Sequence, residues 1–201
     1  FAFTRIRYGA RIGQGFGGWE HDYPTADRNF SAILDYITNM RVHLDGSNIL
    51  DLDDPRIFEN PVIYMSEPGY WTTDDAEAAS LRAYLLKGGF IIFDDFRDNH
   101  WYNLEEQMKK VMPEARWVIL TPEARVFNSF FEITNFNFGA YGKETYFGIF
   151  ENNDPNKRLM AVAVANGVGE IIVGQNGLLS TPAASHLIRQ RQAAAGFILT
   201  A

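Results

Sequence analysis

Residues 62–93 spell out a strand, a helix and a second strand in succession, and few folds are open to a chain that contains such a unit. VIYM, Val62 to Met65, is a compact apolar run with the length of a buried strand, and Glu67 and Pro68 close it. Thr72 or Thr73 is placed to cap the helix that follows. Asp74, Asp75 and Glu77 fill its first turn, where the helix dipole favours anions, and Leu81, Tyr84 and Leu85 make its inner face. Gly88 is the expected stop, and Phe90 to Phe93 is the next strand. Two strands joined through a helix run parallel, because the crossover returns the chain to the same edge of the sheet. In open sheets of this kind ligands bind at the carboxyl ends of the strands. Here that edge carries Glu67 after one strand, and Asp94 and Asp95 after the other.

The rest of the chain extends the pattern. FTRIRY, Phe3 to Tyr8, alternates apolar with polar residues and reads as a strand. GARIGQGFGGWEHDYP follows as a glycine-rich loop. Gly13, Gly15 and Gly18 satisfy the letters of a dinucleotide fingerprint, but no helix opens directly behind them, so a flexible loop is the better reading. From Pro24 the spacing of Phe30, Ile33, Leu34, Ile37 and Met40 predicts a helix with one buried stripe. Val42 to Leu44 reads as a short strand, and SNILDLDDPRIFENP as an acidic connection. Leu104 to Met112 is a predicted helix and Trp117 to Leu120 a strand. Tyr146 to Glu151 and Arg158 to Val164 form a hairpin about NNDPN. Ile171 to Val173, Ala183 to Ala195 and Phe197 to Leu199 then make a self-contained strand–helix–strand piece. The expected fold is α/β, with a mostly parallel sheet covered on both faces.

Composition narrows what such a fold can do. At 201 residues the chain supports one core. Its net charge of -7 disfavours nucleic acid, since no cluster of basic residues offsets the acidic total. The absence of cysteine excludes thiolate nucleophiles, cysteine-based zinc sites and disulfides. No apolar run reaches the roughly 18 to 20 residues of a spanning helix. Phe1 is not an initiator methionine, so a processed product or an excised domain is expected.

FTRIRY, DYPTADRNF, PVIYMSEPGYWTTDDAEAASLRAYLLKGGFIIFDDF and YFGIFENNDPNKRLMAVA occur here in an order that resembles the bacterial family DUF4159 over residues 1 to about 163. That resemblance implies a flavodoxin-like, class I glutamine amidotransferase-like three-layer sandwich with no established activity. It also implies an exported or membrane-associated setting. Residues 165–201 depart from the family pattern. Through GQNGLLSTPA and GFILTA they resemble the first domain of the phosphohexomutases, phosphoglucomutase above all. The serine that carries phosphate in that family lies in TASHNP, beyond Thr200 and Ala201, so no mutase activity is expected. The division anticipated is therefore 1–164 and 165–201, a natural or artificial chimera in which the second piece completes the same sheet.

The amidotransferase-like fold would place a nucleophile at the end of the strand leaving the glycine pair. IIFDDF supplies Asp94 and Asp95 there. Together with Glu67 these are the candidate catalytic carboxylates of a hydrolase, with or without a divalent ion. Asp22, Glu67 and Asp95 are candidate ligands for Ca²⁺ or Mg²⁺, which take oxygen donors. Trp19, His21, Asp22, Tyr23 and Asp27, with Trp71, form a candidate binding wall on which a sugar or a peptide could stack, although Asp22 could equally cap the following helix. His100 could approach the rim if the loop after Asp95 folds back. The leading expectation is a non-catalytic binding or accessory domain for a small polar ligand or a protein partner. The alternatives are the rim-carboxylate hydrolase and an artificial chimera with no native activity.

Overall fold

The structure, a computed structural model, describes residues 1–10, 18–96, 100–129, 132–136 and 145–165. A seven-stranded sheet forms its centre, built from β1 (Thr4–Ile6), β3 (Asn48–Leu50), β4 (Val62–Ser66), β6 (Phe90–Phe96), β7 (Val118–Ile119), β8 (Thr145–Phe150) and β9 (Leu159–Ala165). Their order is β3-β1-β4-β6-β9-β8-β7. The first five in that order are parallel, and β8 runs antiparallel between β9 and β7. A separate two-stranded ribbon pairs β2 (Gly9–Ala10) with β5 (Trp71–Thr72). The mostly parallel sheet read from the sequence is therefore the observed one.

The helices are α1 (Thr25–Ile37), α2 (Asp75–Leu86) and α3 (His100–Val111). Alternation along the strands separates two faces. On one, Ile63, Met65, Ile91 and Phe93 join Leu81 and Leu85 of α2 and Leu104 and Met108 of α3 in the main core. On the other, Phe3 meets Phe30 of α1 and Tyr64 of β4, with ring centres 5.4 Å apart in both cases. This gives the three layers of an α/β fold.

Several local expectations change. Val42–Leu44 is not a strand; β3 lies at Asn48–Leu50, inside the stretch read as an acidic connection, because Asn48, Ile49 and Leu50 pair with Thr4, Arg5 and Ile6. Leu50 and Leu52 are buried despite the acidic residues around them. Neither Thr72 nor Thr73 caps α2. Asp74 does, accepting from Glu77 N at 2.9 Å while the Glu77 carboxylate accepts from Asp74 N at 3.3 Å, a complete capping box. Gly88 takes φ +116°, a conformation open to glycine, where the chain leaves α2 for β6. The predicted stripe of α1 is only half-buried, and Met40 lies beyond the helix, 45% exposed. The predicted elements between 171 and 199, and the loop positions Gly13 and Gly15, fall outside the described residues.

Candidate functional site

β4 and β6 are neighbours in register from Val62↔Phe90 to Ser66↔Asp94, and Glu67 N extends the ladder by donating to Asp94 O at 2.9 Å. Both strands then turn in the same unusual way. Glu67 has φ +49° and Asp95 φ +59°, the left-handed region that non-glycine residues avoid. Asp22 has φ +60°. Each such residue costs on the order of 1 to 3 kcal/mol and persists only where its surroundings enforce it. Against β9, β6 spends three residues from Phe93 to Phe96 where its partner spends two, Ala163 to Ala165. That bulge re-aims the side chains at the strand end.

It also separates the two aspartates. Asp94 stays buried, its carboxylate accepting from Asp95 N at 2.8 Å and from the Tyr64 hydroxyl at 3.3 Å. Asp95, 18% exposed, faces the rim. Of the candidate carboxylates at this strand end, Asp94 is thus an internal brace, and its burial keeps it from meeting a ligand at the rim.

The segment that carries Trp19 and His21 is tied over this edge by Arg5, which lies in the middle of β1 and is fully buried. A buried guanidinium needs acceptors for its fork of N–H groups. Arg5 Nε donates to the Asp27 carboxylate at 3.1 and 3.2 Å, and Nη2 donates to Asp27 Oδ1 at 2.5 Å. Nη1 donates to the carbonyls of Trp19 and His21, each at 2.9 Å. The guanidinium also stacks over Tyr64, 5.0 Å from its ring centre, with Tyr23 at 5.9 Å. Arg5 thereby sets the main chain of the loop that presents His21. Gly18 lets the same loop press down on the site: a Cβ there would fall 2.7 Å from Glu67 Cβ and 2.8 Å from the Tyr8 hydroxyl. That hydroxyl donates to Ser66 O at 2.9 Å and Glu67 O at 2.7 Å. Burial, reinforced by the Glu67 charge, pushes the Tyr8 pKa far above its ordinary value, so Tyr8 stays a donor.

The side chains converge above the strand ends. His21 Nδ1 contacts Asp95 Oδ2, with Asp22 Oδ2 3.6 Å from the same nitrogen. One donor atom each from His21, Glu67 and Asp95 lies within 4.8 Å of the others. His100, the first residue of α3, folds back to Glu67, Nδ1 to Oε2 3.8 Å, and its ring meets Tyr70 edge-on at 4.9 Å. Of the residues singled out in the sequence, Glu67, Asp95, His21 and Asp22 come together here. Trp19 and Tyr23 flank them as a tilted pair 6.4 Å apart. Asp27 does not reach the rim, because it is buried as the partner of Arg5. Trp71 does not either: it is fully buried and stacks on Phe93 at 5.9 Å. Asp22 does not cap α1, where no side chain caps the helix.

Arg5 and Tyr8 were not singled out in the sequence, and Gly18 was read there only as one letter of a fingerprint in a flexible loop. Arg5 had a signal. A strand inside a sheet covered on both faces has no solvent side, so an arginine at its centre implies a buried acid partner.

Residues 2–195 match the family described as "Domain of unknown function (DUF4159)". Shorter matches link the chain to phosphoglucomutases. It is 52% identical to the phosphoglucomutase of Emericella nidulans over 54 residues, 27% of this chain and 10% of that protein. The chloroplastic phosphoglucomutase of Brassica napus is 48% identical over 54 residues, 27% of this chain and 9% of that one. Human phosphoglucomutase-like protein 5 is 58% identical over 43 residues, 21% of this chain and 8% of that one. The chain thus spans about a tenth of the length of these curated relatives. The family match runs past residue 164 and shares residues with the 54-residue matches.

Proposed function

The chain belongs to the DUF4159 family, and on that premise we propose that it is a non-catalytic, amidotransferase-like domain that binds a small polar ligand at the carboxyl rim of β4 and β6. One observation carries this reading. Two adjacent parallel strands both end in left-handed carboxylates, Glu67 and Asp95, and a loop anchored by a buried arginine brings His21 onto them. Backbone strain and like charges gathered on one edge are features that a fold retains for a site rather than for its own stability. On the amidotransferase-like reading, Asp94 and Asp95 stand at the strand end where such a fold would carry its cysteine, and this chain has no cysteine. On family resemblance alone, the setting is an exported or membrane-associated bacterial protein. Among the described residues no helix is long and apolar enough to cross a membrane.

The double variant Glu67→Gln, Asp95→Asn tests this reading. A binding rim that contributes nothing to folding keeps or raises its melting temperature when relieved of two like charges. A loss of more than about 1 kcal/mol, about 2 to 4 °C for a domain of this size, would mean that the carboxylates hold the fold, and the proposal would fail.

The contact between His21 and Asp95 favours a second reading, a hydrolase in which the imidazole serves as the base. Turnover of nitrophenyl esters or phosphates that disappears in His21→Ala would replace binding with catalysis.

A further inference from the structure

The geometry points to a divalent cation as the occupant of this rim, one of the nitrogen-accepting class, such as Zn²⁺, Mn²⁺ or Fe²⁺, rather than Ca²⁺ or Mg²⁺. The inference rests on the binding reading above and names the chemistry of its ligand. His21 supplies an imidazole nitrogen, and Glu67 and Asp95 each supply a carboxylate oxygen. These three side chains come from three different segments, and their donor atoms lie within 4.8 Å of one another. Ligands about 2.0 to 2.2 Å from an ion stand about 3 to 3.5 Å from their neighbours, so side-chain rotations of about an ångström close the set.

A separate observation brings a second imidazole up to Glu67, outside the set of three. His100 Nδ1 is buried without a hydrogen-bond partner, and it lies 3.8 Å from Glu67 Oε2. A buried imidazole nitrogen without a partner costs free energy, and an ion shared with Glu67 would satisfy it. One imidazole with two carboxylates, and a second imidazole within reach of Glu67, form a mixed nitrogen and oxygen set. Calcium and magnesium prefer oxygen alone, whereas zinc, manganese and ferrous iron accept both.

The main chain of each first donor is held independently of any ion. Arg5 Nη1 binds the His21 carbonyl, Tyr8 binds the Glu67 carbonyl, and the Asp94 carboxylate binds Asp95 N. Such outer partners orient ligands before the metal arrives, and removing them typically weakens a metal site by about 10 to 100-fold. Arg5 is spent on Asp27 and two carbonyls, so it positions the site without occupying it.

The test is calorimetric titration of the whole, chelator-treated chain with Zn²⁺, Mn²⁺, Ca²⁺ and Mg²⁺, together with Co²⁺ absorption as a spectroscopic reporter. One Zn²⁺ per chain is expected, bound at least tenfold more tightly than Ca²⁺ or Mg²⁺. His21→Ala and Asp95→Asn each remove a proposed ligand, so each should weaken it by more than the roughly 100-fold that loss of an outer partner costs, and abolish the visible Co²⁺ bands. His100→Gln, a rim change that spares the strand ends, should alter the Co²⁺ spectrum, and circular dichroism checks that each variant is folded. Three outcomes overturn the inference: no Zn²⁺ binding at millimolar concentration, equal affinity for Ca²⁺ and Zn²⁺, or Zn²⁺ binding that His21→Ala leaves intact. If Zn²⁺ fails while Glu67→Gln, Asp95→Asn keeps its melting temperature, the ion is wrong and the binding rim stands. If that double variant collapses, the rim itself is structural.

Discussion

Two groups of charges sit one above the other in this molecule, and they are built on opposite principles. Arg5 and Asp27 are fully buried and matched, with both carboxylate oxygens and the guanidinium engaged by defined partners. His21, Glu67 and Asp95 are 49%, 21% and 18% exposed, sit on or beside left-handed backbone, and gather two carboxylates against imidazoles. Burial makes an unmatched charge intolerable, so the lower pair had to be complete. Partial exposure leaves the upper group within reach of solvent, where the proposed ligand would meet it. The first group positions the second, since Arg5 reaches past Asp27 to the His21 carbonyl.

The largest effect is expected at the lower pair. Asp27→Asn should cost about 3 to 5 kcal/mol, read from the urea midpoint, because it strands the Arg5 charge. The volume-matched pair Arg5→Met, Asp27→Leu should cost far less in stability while still releasing the His21 loop. A mild effect of Asp27→Asn alone would erase the distinction.

The next largest effect appears at high pH. Burial, with the Asp94 charge added, holds the Tyr64 pKa well above its ordinary value, and burial with Glu67 does the same for Tyr8. Both stay protonated when folded, so their contribution is complete below about pH 10. It is lost as pH rises further, because the unfolded chain releases protons that the native one keeps. Each tyrosine should remove about 1.4 kcal/mol per pH unit above that point. Urea midpoints at pH 8 and 11 measure the slope, and Tyr8→Phe should flatten it by one proton's share.

At the rim the sign reverses. Asp95→Gly should leave stability unchanged or raise it by up to about 1 kcal/mol, since glycine accepts the left-handed conformation. Differential scanning calorimetry suffices, and a clear loss would move Asp95 into the structural group. The smallest effect belongs to Arg7, two residues from Arg5 on the same strand segment. It binds Asp51 at 2.6 Å in the open, and Asp51→Asn should not shift the melting temperature measurably in 0.15 M salt. Two arginines so close in sequence would then differ in worth only through burial.

The parallel core was legible because its strands and helices declare themselves locally: β4, α2 and β6 each carry a period, a cap or a stop within a dozen residues. β3 was not, because Asn48–Leu50 is a strand only through its partner β1, and Asp51, Asp53 and Asp54 disguise the buried Leu50 and Leu52. The same division runs through the site. Glu67 and Asp95 could be placed from strand ends alone. The assignments of Asp27 to a wall and Trp71 to a stacking surface failed to foresee two partners distant in sequence, Arg5 and Phe93. Gly18 acquires its meaning only when the loop closes on Glu67.

The extra residue of β6 opposite Ala163–Ala165 has an evolutionary reading. Removing Asp95 would leave Phe93, Asp94 and Phe96 in step with the neighbouring strand, with the ladder continuous and the elbow gone. The sheet and the proposed rim are therefore separable by a single codon.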